Sequence, residues 1–162
     1  MRCAIVTVSD TRTPETDGSG TEIRRQLEVA GHEVLDRSIV RDDPALVREA
    51  IVALIARGDV EAVITNGGTG IATRDNTYEA VAGLLDKRID GFGELFRMLS
   101  FAEIGAAAML SRAVAGIVDR VAVFCIPGST AACRLALEQL ILPELGHVVA
   151  LARPAAQQSV SR

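Results

Sequence analysis

The chain has 162 residues, of which 49% are hydrophobic and only 3% aromatic, with no tryptophan and a formal net charge of −4. That length suits one domain burying about two thirds of the surface its unfolded form exposes, and argues against a second catalytic domain. A negative balance without a lysine/arginine block excludes nucleic acid and anionic membranes as main partners, and the apolar runs fall short of the roughly 20 residues that span a bilayer.

With so few aromatic residues, the core must come from alanine, valine, leucine and isoleucine, as in a buried parallel sheet covered by helices. Met1-Arg2 leads straight into an apolar run without the apolar core and cleavage site of a secretory signal, so the expected location is the cytoplasm. Cys3, Cys125 and Cys133 share no metal-ligand spacing and read as buried small hydrophobes.

The chain opens with Cys3–Val8, a continuous apolar run that reads as a strand buried on both faces. A polar segment carrying Ser9-Asp10 and DGSG leads to a helix expected over Thr21–Ala30, stopped by Gly31. A strand near Glu33–Val40 follows, then Asp43 as N-cap with Pro44 at the first helical position, and helix spacing to Gly58. A third strand over Val60–Thr65 runs into Asn66-Gly67-Gly68-Thr69-Gly70. A helix begins near Thr77, with Asn76 and Glu79 spaced as a capping box.

This alternation predicts an α/β three-layer αβα sandwich, its sheet mostly parallel with right-handed crossovers. Beyond Leu85 a turn and a short helix are expected, then an antiparallel strand pair joined near Asp119-Arg120. Pro127-Gly128-Ser129 follows the last strand, and a helix over Thr130–Leu140 is expected to end at Pro143. Residues 1–153 form the domain, and Pro154–Arg162 is a polar tail without periodicity.

Ligands of open α/β sheets bind beyond the carboxyl ends of the strands. Ser9-Asp10, Arg41-Asp42-Asp43, Asn66–Gly70 and Pro127–Ser129 all fall at such ends, so four loops outline one site. The glycines let consecutive amides approach an anion. Arg74 and Asp75, just past them, are either a solvated pair or part of this site. Asp42 either biases charge toward a helix N-terminus or joins Asp75 in holding a divalent cation such as Mg²⁺ against nucleotide phosphates. Ser9-Asp10, Ser111-Arg112 and Gly128-Ser129 have turn and cap chemistry as their alternative. His32 and His147 stand alone, and no nucleophile and base pair is visible.

VSDTR with DGSG, TNGGTGIATRDNTYEA, GFGELFRMLSFAEIG, LSRAVAG and FCIPGS occur in the order seen in the MoaB/MogA family of molybdenum cofactor biosynthesis proteins, from the first strand to about Leu145. The chain resembles that family, and GFGELFR followed by EIG looks more like its MoaB branch. The resemblance implies a homo-oligomer, trimer or hexamer, and an adenylyl transfer in which molybdopterin and MgATP give adenylylated molybdopterin and pyrophosphate. It makes Asp42 and Asp75 the functional carboxylates, with Asp42 cast as the Mg²⁺ ligand. The pterin and nucleotide would meet Ser9, Asp10, Gly67, Gly68, Thr69, Gly70, Arg74, Ser111, Gly128 and Ser129. Arg41 departs from the proline many relatives carry before the first aspartate. The alternative is a molybdopterin carrier without transfer activity. The apolar segment Phe92–Leu110 is expected at a subunit contact.

Overall fold

In the computed structural model, which describes residues 1–153, each apolar run of strand length enters a single six-stranded sheet. The polar tail expected from Pro154 onward lies outside the described residues. The strands are β1 (Arg2–Val8), β2 (Glu33–Val40), β3 (Ala62–Asn66), β4 (Lys87–Arg88), β5 (Val114–Val118) and β6 (Val121–Ile126), in spatial order β2-β1-β3-β6-β5-β4. β2, β1, β3 and β6 run parallel, whereas β5 pairs antiparallel with both β6 and β4. Asp119 and Arg120, at φ of 40° and 69°, form the tight turn between β5 and β6. β4 leaves no mark in the hydrophobic pattern, because its two exposed charged residues carry no alternation.

The helices are α1 (Gly18–Val29), α2 (Pro44–Ala56), α3 (Thr77–Ala82), α4 (Asp90–Ile104), α5 (Thr130–Ala136) and α6 (Leu142–Ala152), with a 3₁₀ segment at Gly105–Leu110. The period of two along the strands assigns each residue to a layer. Cys3, Ile5, Ile64 and Phe124 face α1, α4, α5 and α6, while Ala4, Val6, Val63 and Val123 face α2 and α3. Two apolar layers therefore sandwich the sheet, as expected. All three cysteines are free and buried, and burial pushes each thiol up to about 12.

Three expectations are corrected. α1 starts at Gly18 rather than Thr21, because the Asp17 carboxylate caps it by accepting from the Gly20 amide at 3.0 Å. The capping box at Asn76 does not form: Asn76 Nδ2 donates to the Thr73 carbonyl, and Glu79 turns to Arg112. Pro143 does not end the last helix either. A π-helical turn at Leu137–Ile141 joins α5 to α6, and such wider turns accommodate a proline that lacks its N–H. The resulting helix, Thr130–Ala152, has 23 residues and is long and apolar enough by length and composition to cross a membrane. Here it lays a buried stripe of Cys133, Ala136, Leu137, Ile141, Leu145 and Val149 on the sheet.

The segment Phe92–Leu110 divides between core and surface. Phe92 and Phe96 are buried beneath α4, whereas Leu95, Met98, Phe101, Ile104, Met109 and Leu110 are exposed. Phe96 is 1% exposed and so belongs to the domain's own core.

Candidate functional site

The register of the parallel strands brings the ends of four of them into line. Val8 pairs with Val40, Thr7 with Asn66, and Asn66 with Ile126, so the loops that follow emerge at one edge. β1 lies between β2 and β3, which places the reversal of strand order at this edge, where α/β sheets open a crevice. The four loops read from the sequence are thus adjacent in space.

At its centre Gly67 and Gly68 have φ of 101° and 61°, a region that side chains rarely tolerate. Both are also hemmed in. The Val8 carbonyl lies where a Cβ on Gly67 would go, and a Cβ on Gly128 would lie 2.9 Å from the Gly67 Cα. A Cβ on Gly68 would collide with the Thr77 hydroxyl and lie 2.7 Å from Asp42 Oδ2. The loop is held by Gly67 N–H to the Ile126 carbonyl at 3.1 Å and by Thr77 N–H to the Gly68 carbonyl at 2.9 Å. Among the described residues the amides of Gly68, Thr69 and Gly70 find no main-chain acceptor, which leaves them available to an anion.

Around this loop stand three carboxylates. The Asp42 amide donates to Asp10 Oδ1 at 3.2 Å, and Asp75 folds under Gly70, accepting from the Ala72 amide at 3.1 Å. Burial raises the Asp42 carboxyl above the ordinary range and is opposed by the Asn76 amide; Asp75 and Asp10 raise it further, and Arg74 lowers it. Among the described residues, Asp42 Oδ1 and the fully buried Thr77 hydroxyl have no hydrogen-bond partner. Two orphaned polar atoms facing one glycine are what a site needs when an oxygen-seeking cation or a phosphorylated ligand completes it.

The serines divide differently. Ser9 Oγ accepts from the Arg12 amide at 3.1 Å, and Ser129 Oγ caps α5 through the Ala132 amide at 3.2 Å, so both hydroxyls serve their own loops. Ser111 ends the 3₁₀ segment and directly precedes Arg112 in the chain. Arg74 is exposed at the rim.

Two further constellations brace these loops through pairings distant in sequence. Arg112 crosses from β5's approach to clamp the glycine loop, donating to the carbonyls of Thr69 at 2.8 Å, Gly70 at 2.7 Å and Asp75 at 3.1 Å. It also pairs with Glu79 and lies 5.0 Å from the centre of the Tyr78 ring. Beneath the first loop, the Asp17 side chain is fully buried. It accepts from Thr7 Oγ1 at 2.8 Å and from Arg37 Nη2 at 3.0 Å, with Arg12 Nη1 at 3.4 Å. Burial alone would raise this carboxyl, yet the Gly20 amide, Thr7 and Arg37 hold it below its ordinary value. Arg12 Nη2 then donates to the Gly128 carbonyl at 2.9 Å, tying the first loop to the last. The DGSG motif signalled this network, because Asp17 opens it and Ser19 accepts from Asn66 Nδ2 at 2.8 Å.

Residues 4–147 match a family model described as a probable molybdopterin binding domain. The chain is 56% identical over 149 residues to molybdenum cofactor biosynthesis protein B of Bacillus cereus, covering 91% of this chain and 88% of that one. It superposes on a crystal structure of molybdenum cofactor biosynthesis protein B with TM-score 0.91 and 55% identity, covering 93% of this chain and 94% of the other. A structure of MogA matches with TM-score 0.85 at 29% identity, covering 94% and 100%.

Proposed function

The chain belongs to the MoaB/MogA family of molybdenum cofactor biosynthesis proteins, and from that membership we propose that it is a molybdopterin adenylyltransferase, moving AMP from ATP to the terminal phosphate of molybdopterin. The observation that carries the reading is the pair of orphaned atoms, Asp42 Oδ1 and the Thr77 hydroxyl, set against Gly68 beside Asp10 and Asp75.

In the transfer, an oxygen of the pterin phosphate attacks the α-phosphorus, the bond from that phosphorus to the bridging oxygen breaks, and its electron pair leaves with pyrophosphate. The acceptor is already anionic near neutral pH, so the site needs alignment and charge stabilisation more than a strong base. The amides of Gly68, Thr69 and Gly70 are placed to hold phosphate oxygens, and Arg112 keeps them in that arrangement. Asp75 fixes the far side of the loop and positions the ligand. Among the described residues no three histidine, cysteine or acidic side chains converge as a metal cage. That suits Mg²⁺, which takes one or two carboxylates and completes its shell with water and phosphate oxygens. Asp42 would hold the ion, with Asp10 and Asp75 near it. When bound, the ion would supply screening of the charge growing on the leaving pyrophosphate.

The MoaB-like segment GFGELFR favours a second reading, a pterin carrier that binds without transferring. Calorimetry separates the two. An adenylyltransferase should bind MgATP in the micromolar range and lose that binding in Asp42→Ala while keeping the pterin within a factor of ten; a carrier should show pterin heat and none for MgATP.

The exposed apolar stripe of α4 and the 3₁₀ segment fits a second copy of this chain, and the proposed assembly is a closed trimer or hexamer built through it.

A further inference from the structure

Beside the glycine loop, a cleft of about 590 Å³ opens between the loop after β1, helix α1 and the edge strand β2. Its lining includes four arginines, Arg12, Arg24, Arg37 and Arg41, together with Ser9 and Asp10. In a chain whose net charge is −4, four guanidinium groups around one concavity are a local concentration of positive charge.

The four fall into two pairs. Arg12 and Arg37 are anchored, since both reach the buried carboxylate of Asp17, and Arg37 is left with Nε and Nη1 free of protein acceptors among the described residues. Arg24 and Arg41 stand at the surface. Arg24 is half exposed and, among the described residues, is paired with Glu28 on the helix surface, a contact worth little, while Arg41 is 82% exposed and 3.8 Å from Asp10. A floor of anchored cations with two exposed arms above it suits a compact anion carrying several charges, because guanidinium forks bind phosphate oxygens in pairs. Asp10 links this cleft to the centre of the site, since it accepts the amide of Asp42.

We propose that this cleft is a diphosphate subsite, which, given the adenylyltransferase reading on which it rests, takes the β- and γ-phosphates of the nucleotide and holds them as they leave as pyrophosphate. Arg41, which directly precedes Asp42 in the chain and lies 3.8 Å from Asp10, is then the residue that couples the cleft to the metal-side carboxylate.

The test is calorimetric titration of the full chain with inorganic pyrophosphate, in the absence of pterin and nucleotide, for the wild type and for Arg24→Ala/Arg41→Ala. Both replaced side chains are at the surface, so the fold should be kept, and matching unfolding curves would verify this. The wild type should bind pyrophosphate at least tenfold more tightly than orthophosphate, with affinity falling as salt rises, and the double variant should bind at least tenfold more weakly. Equal binding of the two anions, equal binding by wild type and variant, or no pyrophosphate heat at millimolar concentration would each overturn the subsite. If pyrophosphate binds through these arginines and AMP transfer is absent, the subsite stands and the transferase reading falls. If transfer proceeds and the variant shows unchanged KM for ATP and unchanged inhibition by pyrophosphate, the transferase stands and the subsite falls.

Discussion

Replacing Asp42 by asparagine should make the ligand-free chain more stable and remove its response to MgATP. In the folded protein Asp42 Oδ1 has no partner among the described residues, and burial, with Asp75 and Asp10 nearby, raises the carboxyl above its ordinary value. An unsatisfied buried polar group costs about 1–3 kcal/mol, and neutralising it should recover about 1 kcal/mol of that. For a domain of this length such a gain corresponds to about 2–4 °C in Tm. The pH dependence has a definite sign. A carboxyl whose pKa is higher folded than unfolded retains protons that the unfolded chain releases, so stability is highest below the ordinary carboxyl value and falls as pH rises through the raised one. Thermal or urea unfolding of wild type and Asp42→Asn from acid to neutral pH should therefore give curves that meet at the acid end and separate toward neutrality, the variant being the more stable. MgATP at a hundredfold its Kd should then stabilise the wild type by about 2.7 kcal/mol and leave the variant unmoved. A variant less stable than wild type at neutral pH, or a gap independent of pH, would show that Asp42 is not a destabilising buried carboxylate.

Arg112→Lys keeps the charge but loses the fork that spans three carbonyls, so nucleotide and pterin affinity should fall by about tenfold or more, roughly 1.4 kcal/mol, with far-UV spectra unchanged; calorimetry measures it. Asp17→Ala leaves Arg12 and Arg37 without their buried partner and should destabilise the fold by about 3 kcal/mol at neutral pH, a difference that shrinks as acid protonates Asp17 in the wild type, read by urea unfolding. Phe101→Asp, on the exposed stripe, should produce a smaller species in sedimentation while retaining native secondary structure, whereas Phe96→Asp, in the core, should unfold the chain.

The layers and the meeting of the four loops at one edge were legible because both follow from short-range pattern. Continuous apolar runs mark strands buried on both faces, and the register of a parallel sheet then brings the residues just past Val8, Val40, Asn66 and Ile126 to one edge without further information. What was not legible depends on pairings distant in sequence. Glu79 has the spacing of a capping residue after Asn76, but Arg112, 33 residues later, offers it a charged partner, and that interaction wins. Asp17 reads as one residue of a glycine-rich turn until Arg37 on β2 is folded against it, 20 residues on. Pro143 is a sound stop signal locally, yet the stripe from Cys133 to Val149 holds the helix on the sheet, and the π-turn absorbs the missing donor. Phe96 and Phe101 look alike along the sequence; only the direction of α4 over the sheet sends one into the core and the other to the surface.

The central claim, that Asp42 and the Gly68 loop align a nucleotide for transfer to the pterin, is tested most directly by a rapid-quench single turnover with excess chain, molybdopterin, Mg²⁺ and ATP labelled at the α-phosphorus. Label should appear on the pterin with one equivalent of pyrophosphate released, and both should be abolished in Asp42→Ala. Molybdopterin bound at full occupancy with the label remaining in ATP, or transfer undiminished in Asp42→Ala, would contradict it.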